Sequence, residues 1–209
     1  MRSKHGSAGQ PPTFLERARR SQFIECALEA LAELGFTGTT IAEVARRAEV
    51  SKSVVLYHFG SKQELLEAVV EEVYAGAAPD LLAAMEAAQG HRGKLDAYLH
   101  GCVMFAWANQ RRLAGVGEIF RNLRKADGQL RYSHADSEAL ISWVEQMILD
   151  GQQAGEFGPV DARTAAVMIR ATIDALPGVF AAEPGADALA FSARLRDLVG
   201  RMVARDVAP

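Results

Sequence analysis

The sequence predicts an all-α protein of about nine helices, and three observations carry that reading. Of the 209 residues 49% are hydrophobic, with Ala and Leu abundant and only 7% aromatic, a balance that favours helices over sheets. Apolar residues recur at spacings of three and four through each long segment, and no segment alternates with period two. Gly and Pro gather between those segments, as in "EFGPVD" and "AEPGAD", where helices must end. No internal repeat of fixed length is visible.

Each element follows from local signals. Thr13 and Glu16 form a capping-box pair, after which Phe14, Ala18, Phe23, Ala27, Leu28, Leu31 and Leu34 mark one helix up to Gly35. Thr40 and Glu43 form a second box, opening a short helix through Ala48 with Ile41, Val44, Ala45 and Ala48 on one face. Ser51 caps a further short helix to about Phe59, and Ser61 with Glu64 makes a third box. From Lys62, the spacing of Leu65, Leu66, Val69, Val70 and Val73 describes a long helix, bent or broken at Pro79 and ending near Gly90. Five longer helices follow, over 95–109, 113–124, 136–153, 162–176 and 188–203. Pro177 and Gly178 should kink or stop the fourth of these.

Charge divides the chain unevenly. Residues 1–62 hold nine Lys/Arg against six Glu, whereas 63–209 hold fourteen against twenty Asp/Glu, inside a net charge of −3. A basic module on an acidic body implies a polyanionic partner at one end only. Cys26 and Cys102 both sit in apolar helical patterns and read as buried thiols of a reducing cytoplasm. The N-terminal "MRSKHGSAGQPP" lacks an apolar core and reads as a flexible arm. No run approaches the roughly 18 apolar residues of a membrane span, so a cytoplasmic protein without membrane contact is expected. Catalysis finds no support: there is no G-x-S-x-G elbow, Gly-rich phosphate loop or H-E-x-x-H, and the five His lack metal-ligand spacing. Neither a metal nor a cofactor is expected.

The two short helices, Ile41 to Ala48 and Lys52 to Phe59, have the spacing of a helix-turn-helix. Ala45 supplies the small residue where they cross, and Val50 and Val55 close the core between them. With Val55 and Phe59 inward at i and i+4, the side chains of Ser53, Val54, Tyr57 and His58 should project outward. That is what a major-groove reading helix requires. The candidate DNA contacts are Thr39, Thr40, Ser51, Lys52, Ser53, Val54, Tyr57, His58 and Lys62. Thr39, Thr40 and Lys62 are expected at phosphates, Tyr57 and His58 offer hydrogen bonds to phosphate or base, and Val54 could contact a thymine methyl. Arg17, Arg19 and Arg20 on the first helix could add one phosphate contact or form a solvated face.

The stretch "GFTGTTIAEVARRAEVSKSVVLYHFGSKQELLEAVV", residues 35–70, resembles the DNA-binding domain of the tetracycline-repressor (TetR) family of bacterial transcriptional regulators. The features that carry the resemblance are G-[FY]-x-x-[TS]-[TS] before the motif, the S-K start of the second short helix and the ending Y-H-F-x-S-K. Two positions depart from the family pattern. Glu49 stands at a turn position commonly held by Gly, at a cost of about 1 kcal/mol if its backbone is left-handed. Leu56 stands where tyrosine is frequent, which removes a phosphate or sugar contact.

The resemblance implies an arm over residues 1–12, a DNA-binding domain over 13–61, and an effector-binding and dimerisation domain over 62–209. It implies a homodimeric, ligand-responsive repressor that binds a pseudo-palindromic operator and is released by a small-molecule effector. The candidates for an effector cavity are His100, Met104, Trp107, Phe120, Arg121, Trp143 and Met147, although core packing explains the same aromatics. The last two helices should pair with their mates, through the stripe Phe191, Leu195, Leu198 and Met202. A ligand-independent architectural DNA binder is the alternative, distinguished by a packed body without a cavity and by weak sequence preference.

Overall fold

The computed structural model describes residues 13–76, 78–183 and 185–205, with the side chains of 134–136 left aside. The arm expected over residues 1–12 lies outside the described residues. Ten helices are described: α1 (Phe14–Gly38), α2 (Ile41–Arg47), α3 (Lys52–Phe59), α4 (Lys62–Ala75), α5 (Ala78–Ala87), α6 (Gly90–Ala108), α7 (Gln110–Asn122), α8 (His134–Gln153), α9 (Ala162–Ala182) and α10 (Ala188–Met202). Among the described residues the only β pairing is an isolated bridge between Arg124 and Leu130. The chain divides into two compact units, Met1–Val69 and Val70–Pro209, with the division inside α4.

Capping explains most of the helix starts. At Thr13 the box is complete: its hydroxyl accepts from the Glu16 N–H while the Glu16 carboxylate accepts from the Thr13 N–H. At Thr40 only half forms. The hydroxyl accepts from the Glu43 N–H at 3.1 Å, but the Glu43 carboxylate is engaged by Arg46 and Arg47 instead. Charge-assisted bonds to two guanidinium groups outweigh a return bond to one amide. The side chain of Ser51 makes no capping bond to α3. Its Oγ meets Ser53 Oγ at 2.8 Å, and the Val54 N–H goes to the Ser51 carbonyl.

In the N-terminal unit α1 packs on α2 and α2 on α3, Phe23 of α1 meets the ring of Phe59 on α3, and Ala27, Leu28, Leu31, Val44, Ala45, Val55, Leu65, Leu66 and Val69 are buried with them. Gly35 interrupts α1 with φ 66°, and its carbonyl accepts from both the N–H and the hydroxyl of Thr39. Only glycine adopts that conformation without strain.

In the C-terminal unit α6 is the central helix, packed on α5, α7, α8, α9 and α10 through Leu95, Leu99 and Val103. Glu156, in the loop after α8, reaches back to the first turn of α6 and accepts from the N–H groups of His91 and Arg92. These donors have no partner within the helix, and they hold the Glu156 carboxyl below its usual range. Asp161 and Asp187 cap α9 and α10 in the ordinary way.

Three expectations are corrected. The long helix beginning at Lys62 is broken rather than bent, and the break falls at Gly76, so that Pro79 lies in the first turn of α5, where its missing N–H costs nothing. Of the kink or stop expected at Pro177 the stop is absent: α9 runs on to Ala182, although a proline has no N–H to give the Ile173 carbonyl. That same helix is long and apolar enough to cross a membrane by length and composition, although Arg163, Arg170 and Asp174 lie along it, and 28% of its most apolar stretch is buried within the chain. Both cysteines are free and half-buried, and burial pushes the Cys102 thiol up to about 11.

Candidate nucleic-acid interface

The α2–α3 pair closes as a helix-turn-helix. Ala45, 2% exposed, lies at the crossing, and its carbonyl accepts from the Val50 N–H at 2.9 Å. The chain turns at Glu49, the one non-glycine among the described residues with positive φ, at 54°. A side chain in this left-handed region costs about 1 kcal/mol, and the motif forms regardless. Arg47 ties α2 to α1 through the carboxylates of Glu33 and Glu29 while also holding Glu43. The two arginines hold the Glu43 carboxyl far down, at about 2.

Val55 and Phe59 fix α3 to the core, both with almost no exposed surface. Ser51, Lys52 and Ser53 are exposed and Val54 is half-buried. Tyr57, 80% exposed, points directly away from the core, and Leu56 is exposed at the edge of the same face. Thr40 is exposed just before α2. Lys52, Ser53 and Val54 in the first turn, with Tyr57 one turn further along, therefore form the outward surface of an eight-residue helix. A major groove admits a helix and offers it phosphates at its walls and base edges at its floor, which is the set of partners these donors and the valine methyls suit.

Three candidate contacts are placed differently. Thr39 is 1% exposed, and both its donors go to the Gly35 carbonyl, so it shapes the turn into α2 instead of facing a phosphate. His58 is half-buried with its ring 5.4 Å from that of Phe23. Burial, together with the positive charge of Arg20, lowers its pKa, which favours the neutral ring. Lys62 is half-buried, and its ammonium donates to the Phe36 carbonyl at 2.9 Å and lies over the Phe36 ring. Two of its three N–H donors remain for another partner.

Arg20 has a role that the sequence did not reveal. Its guanidinium donates to the His58 carbonyl and sits 4.3 Å from the centroid of Phe59, so it clasps the C-terminal end of α3 to α1. A cation there also complements the helix dipole. The available signal was its place one turn before Phe23, on the inner edge of α1. Arg19, by contrast, turns outward and pairs with Gln22.

The seven effector candidates are not gathered in one place by the described contacts. Trp143 packs edge-on against Tyr98 at 5.2 Å, with Met147 buried one turn further along α8. Trp107 packs on Phe180, and Phe120 packs on Tyr132. His100 Nδ1 lies 3.0 Å from the buried Ser192 hydroxyl, and Met104 is half-buried. Arg121 is exposed and paired with Glu118, so it does not face the interior. A surface groove lies elsewhere, bordered by Gln152, Phe157, Asp161 and Arg205. None of the seven borders it.

The proposed dimer stripe also divides. Leu195 is buried within its own chain, and half-buried Phe191 packs on Phe180, so both are engaged inside the chain. Met202 is half-buried, and Leu198 is 62% exposed. The exposed apolar residues nearby are Val167, Met168 and Val179 on α9 and Leu189 on α10.

Residues 23–69 match the family model for bacterial regulatory proteins of the tetR family. Over 192 residues, covering 79% of this chain and 97% of the relative, the sequence is 30% identical to the HTH-type transcriptional regulator BetI of Burkholderia thailandensis. It is 41% identical over 63 residues to BetI of Burkholderia cenocepacia, a span of 30% of this chain and 32% of that one. A solved tetR-family regulatory protein from Rhodococcus RHA1 shares the fold with a TM-score of 0.71 at 23% identity, covering 89% of this chain and 97% of that one. With its helix-turn-helix and the exposed face of α3, the chain belongs to the tetR family of bacterial regulatory proteins and is a DNA-binding transcriptional regulator.

Proposed function

We propose that the chain is a homodimeric repressor that binds a pseudo-palindromic operator and is released by a small-molecule effector. The observation that carries this reading is the face of α3: Lys52, Ser53 and Tyr57 are exposed on a helix that buried Val55 and Phe59 fix to the core. Two such helices on a two-fold axis enter successive major grooves about 34–36 Å apart. Ser51, Lys52, Ser53, Val54 and Tyr57 meet the groove, and Thr40 and the spare donors of Lys62 meet phosphates. Residues 13–61 read DNA, residues 62–209 bind the effector and dimerise, and the site of action is the cytoplasm.

Dimerisation is supported by α9, an apolar helix that leaves Val167, Met168 and Val179 exposed. Met168 and Val179 on α9 and Leu198 on α10 are the residues we assign to the contact. A second copy would bury that area at roughly 25 cal/mol per Å². The effector acts by population shift: it lowers DNA affinity to the extent that it binds the DNA-incompetent arrangement more tightly.

Selection of bound duplexes from a random pool tests the reading directly. A recurrent motif with two related half-sites is the expected result. Recovery of unrelated sequences would sink the repressor reading and leave the architectural DNA binder in its place.

A further inference from the structure

Arg170, on α9, is a buried cation whose donors are not all used. Its side chain is 11% exposed. Nη1 donates to the Tyr98 hydroxyl at 2.9 Å, and Nη2 pairs with the carboxylate of Asp174 one turn along the same helix. Nε is buried and has no hydrogen-bond partner among the described residues. A buried guanidinium N–H without an acceptor is costly, and native folds rarely leave one so.

The geometry of the gap is informative. Nε and Nη2 form the edge of a guanidinium on which a carboxylate docks with two parallel hydrogen bonds. Asp174 takes that edge by one oxygen on Nη2 only, and its side chain is 53% exposed. Partial burial pushes the Asp174 carboxyl above its usual range in spite of the neighbouring Arg170. It is a poor occupant of the edge and is free to turn to water.

The surroundings are aromatic. Tyr98 carries the edge of Trp143 on one side and the Cys102 thiol beside its hydroxyl, and Tyr74 packs at 6.1 Å from Phe105. Trp143 is partly exposed although its neighbours Val144 and Met147 are buried. A buried cation beside aromatic rings suits a ligand with one anionic end and one apolar end.

We propose that Arg170 anchors a small amphipathic carboxylate, whose acid group takes Nε and Nη2 in place of Asp174 and whose hydrocarbon lies against Tyr98 and Trp143. This rests on the ligand-responsive reading above and names the chemical class of the effector. Arg170 supplies the charge, Tyr98 fixes the plane of the guanidinium through Nη1, and Asp174 holds the edge when no ligand is bound.

Calorimetric titration of the full-length protein with octanoate and phenylacetate, each beside its neutral amide, tests the proposal. At least one acid should bind saturably and at least tenfold more tightly than its amide. Arg170→Met should lose tenfold or more, and Asp174→Ala, which removes the competing carboxylate, should bind the acid at least threefold more tightly. A purely structural Arg170–Asp174 pair predicts no such gain. Failure of both acids to bind, equal affinity for acid and amide, or no tightening in Asp174→Ala overturns the proposal. Should Arg170→Met lose its helical circular dichroism, the acid-to-amide ratio and Asp174→Ala decide. Selection of bound DNA on the same protein separates the two readings: a specific motif without acid binding removes only the carboxylate site, whereas acid binding without a motif removes only the repressor.

Discussion

Helices α3 and α9 each leave one face uncovered by the rest of the chain, and the two faces differ in chemistry. On α3 the uncovered side chains include Lys52, Ser53 and Tyr57, all able to hydrogen-bond. On α9 they include Val167, Met168 and Val179, which can only be buried. A face of donors on a short helix suits a wet, charged partner whose groups it must match one by one. An apolar face on a long helix suits a dry partner of like composition, since area removed from water is its sole contribution. The contrast teaches that exposure alone says a surface is meant to be met, and its chemistry says by what.

The contrast can be broken at several points. The largest effect is expected from the buried side of α3: Phe59→Ala should destabilise the N-terminal unit by about 3–5 kcal/mol, read as a lower urea midpoint. A near-unchanged midpoint would mean that Phe59 does not hold the helix. On α9, Met168→Glu would set like charges against each other in the proposed dimer, at a cost of several kcal/mol. Sedimentation velocity should then show a folded monomer, and a persistent dimer would move the interface off this face. Leu195 is the wrong residue for that test because it is buried in its own chain.

Tyr57→Ala should weaken binding to the selected operator by about 1–3 kcal/mol while leaving the urea midpoint unchanged. Loss of stability with intact DNA binding would reverse its assignment. Glu49→Gly should raise stability by about 1 kcal/mol, because glycine takes the left-handed turn without strain. If the midpoint falls instead, the carboxylate has a role in the turn.

The smallest effect concerns His58, whose pKa is lowered by burial and then by Arg20. Below the ordinary histidine value of about 6.5 the unfolded chain takes up the proton first. Stability is therefore complete above that pH and falls as the pH drops through the folded value. His58→Gln should flatten this part of the urea-midpoint profile between pH 7.5 and 5.5. An identical profile would show that another group titrates there.

Much of this molecule was legible in the sequence, because the signals were local. Capping at Thr13, the spacing of Val55 and Phe59 and the left-handed turn at Glu49 depend on residues at most four apart in the chain, and the structure contains all three. The limits were also local in origin. Helical spacing marks a residue as apolar-face or polar-face, and it cannot say which of several neighbours covers that face. So Thr39 looked like a phosphate contact, although its hydroxyl turns back onto the Gly35 carbonyl. Leu195 and Leu198 looked equivalent, although only the second is exposed.

By itself the sequence determined that the chain is helical, that a helix-turn-helix lies near its N-terminus and that α3 turns a polar face outward. Periodicity, capping and turn chemistry act over a few residues, so they are fully written there. Only the tertiary structure decided that Arg20 clasps α3, that Glu156 caps α6 from sixty-five residues away and that Arg170 is buried with a donor to spare. Those facts depend on which helices meet, and that is settled by packing the whole core together, beyond the reach of any local pattern.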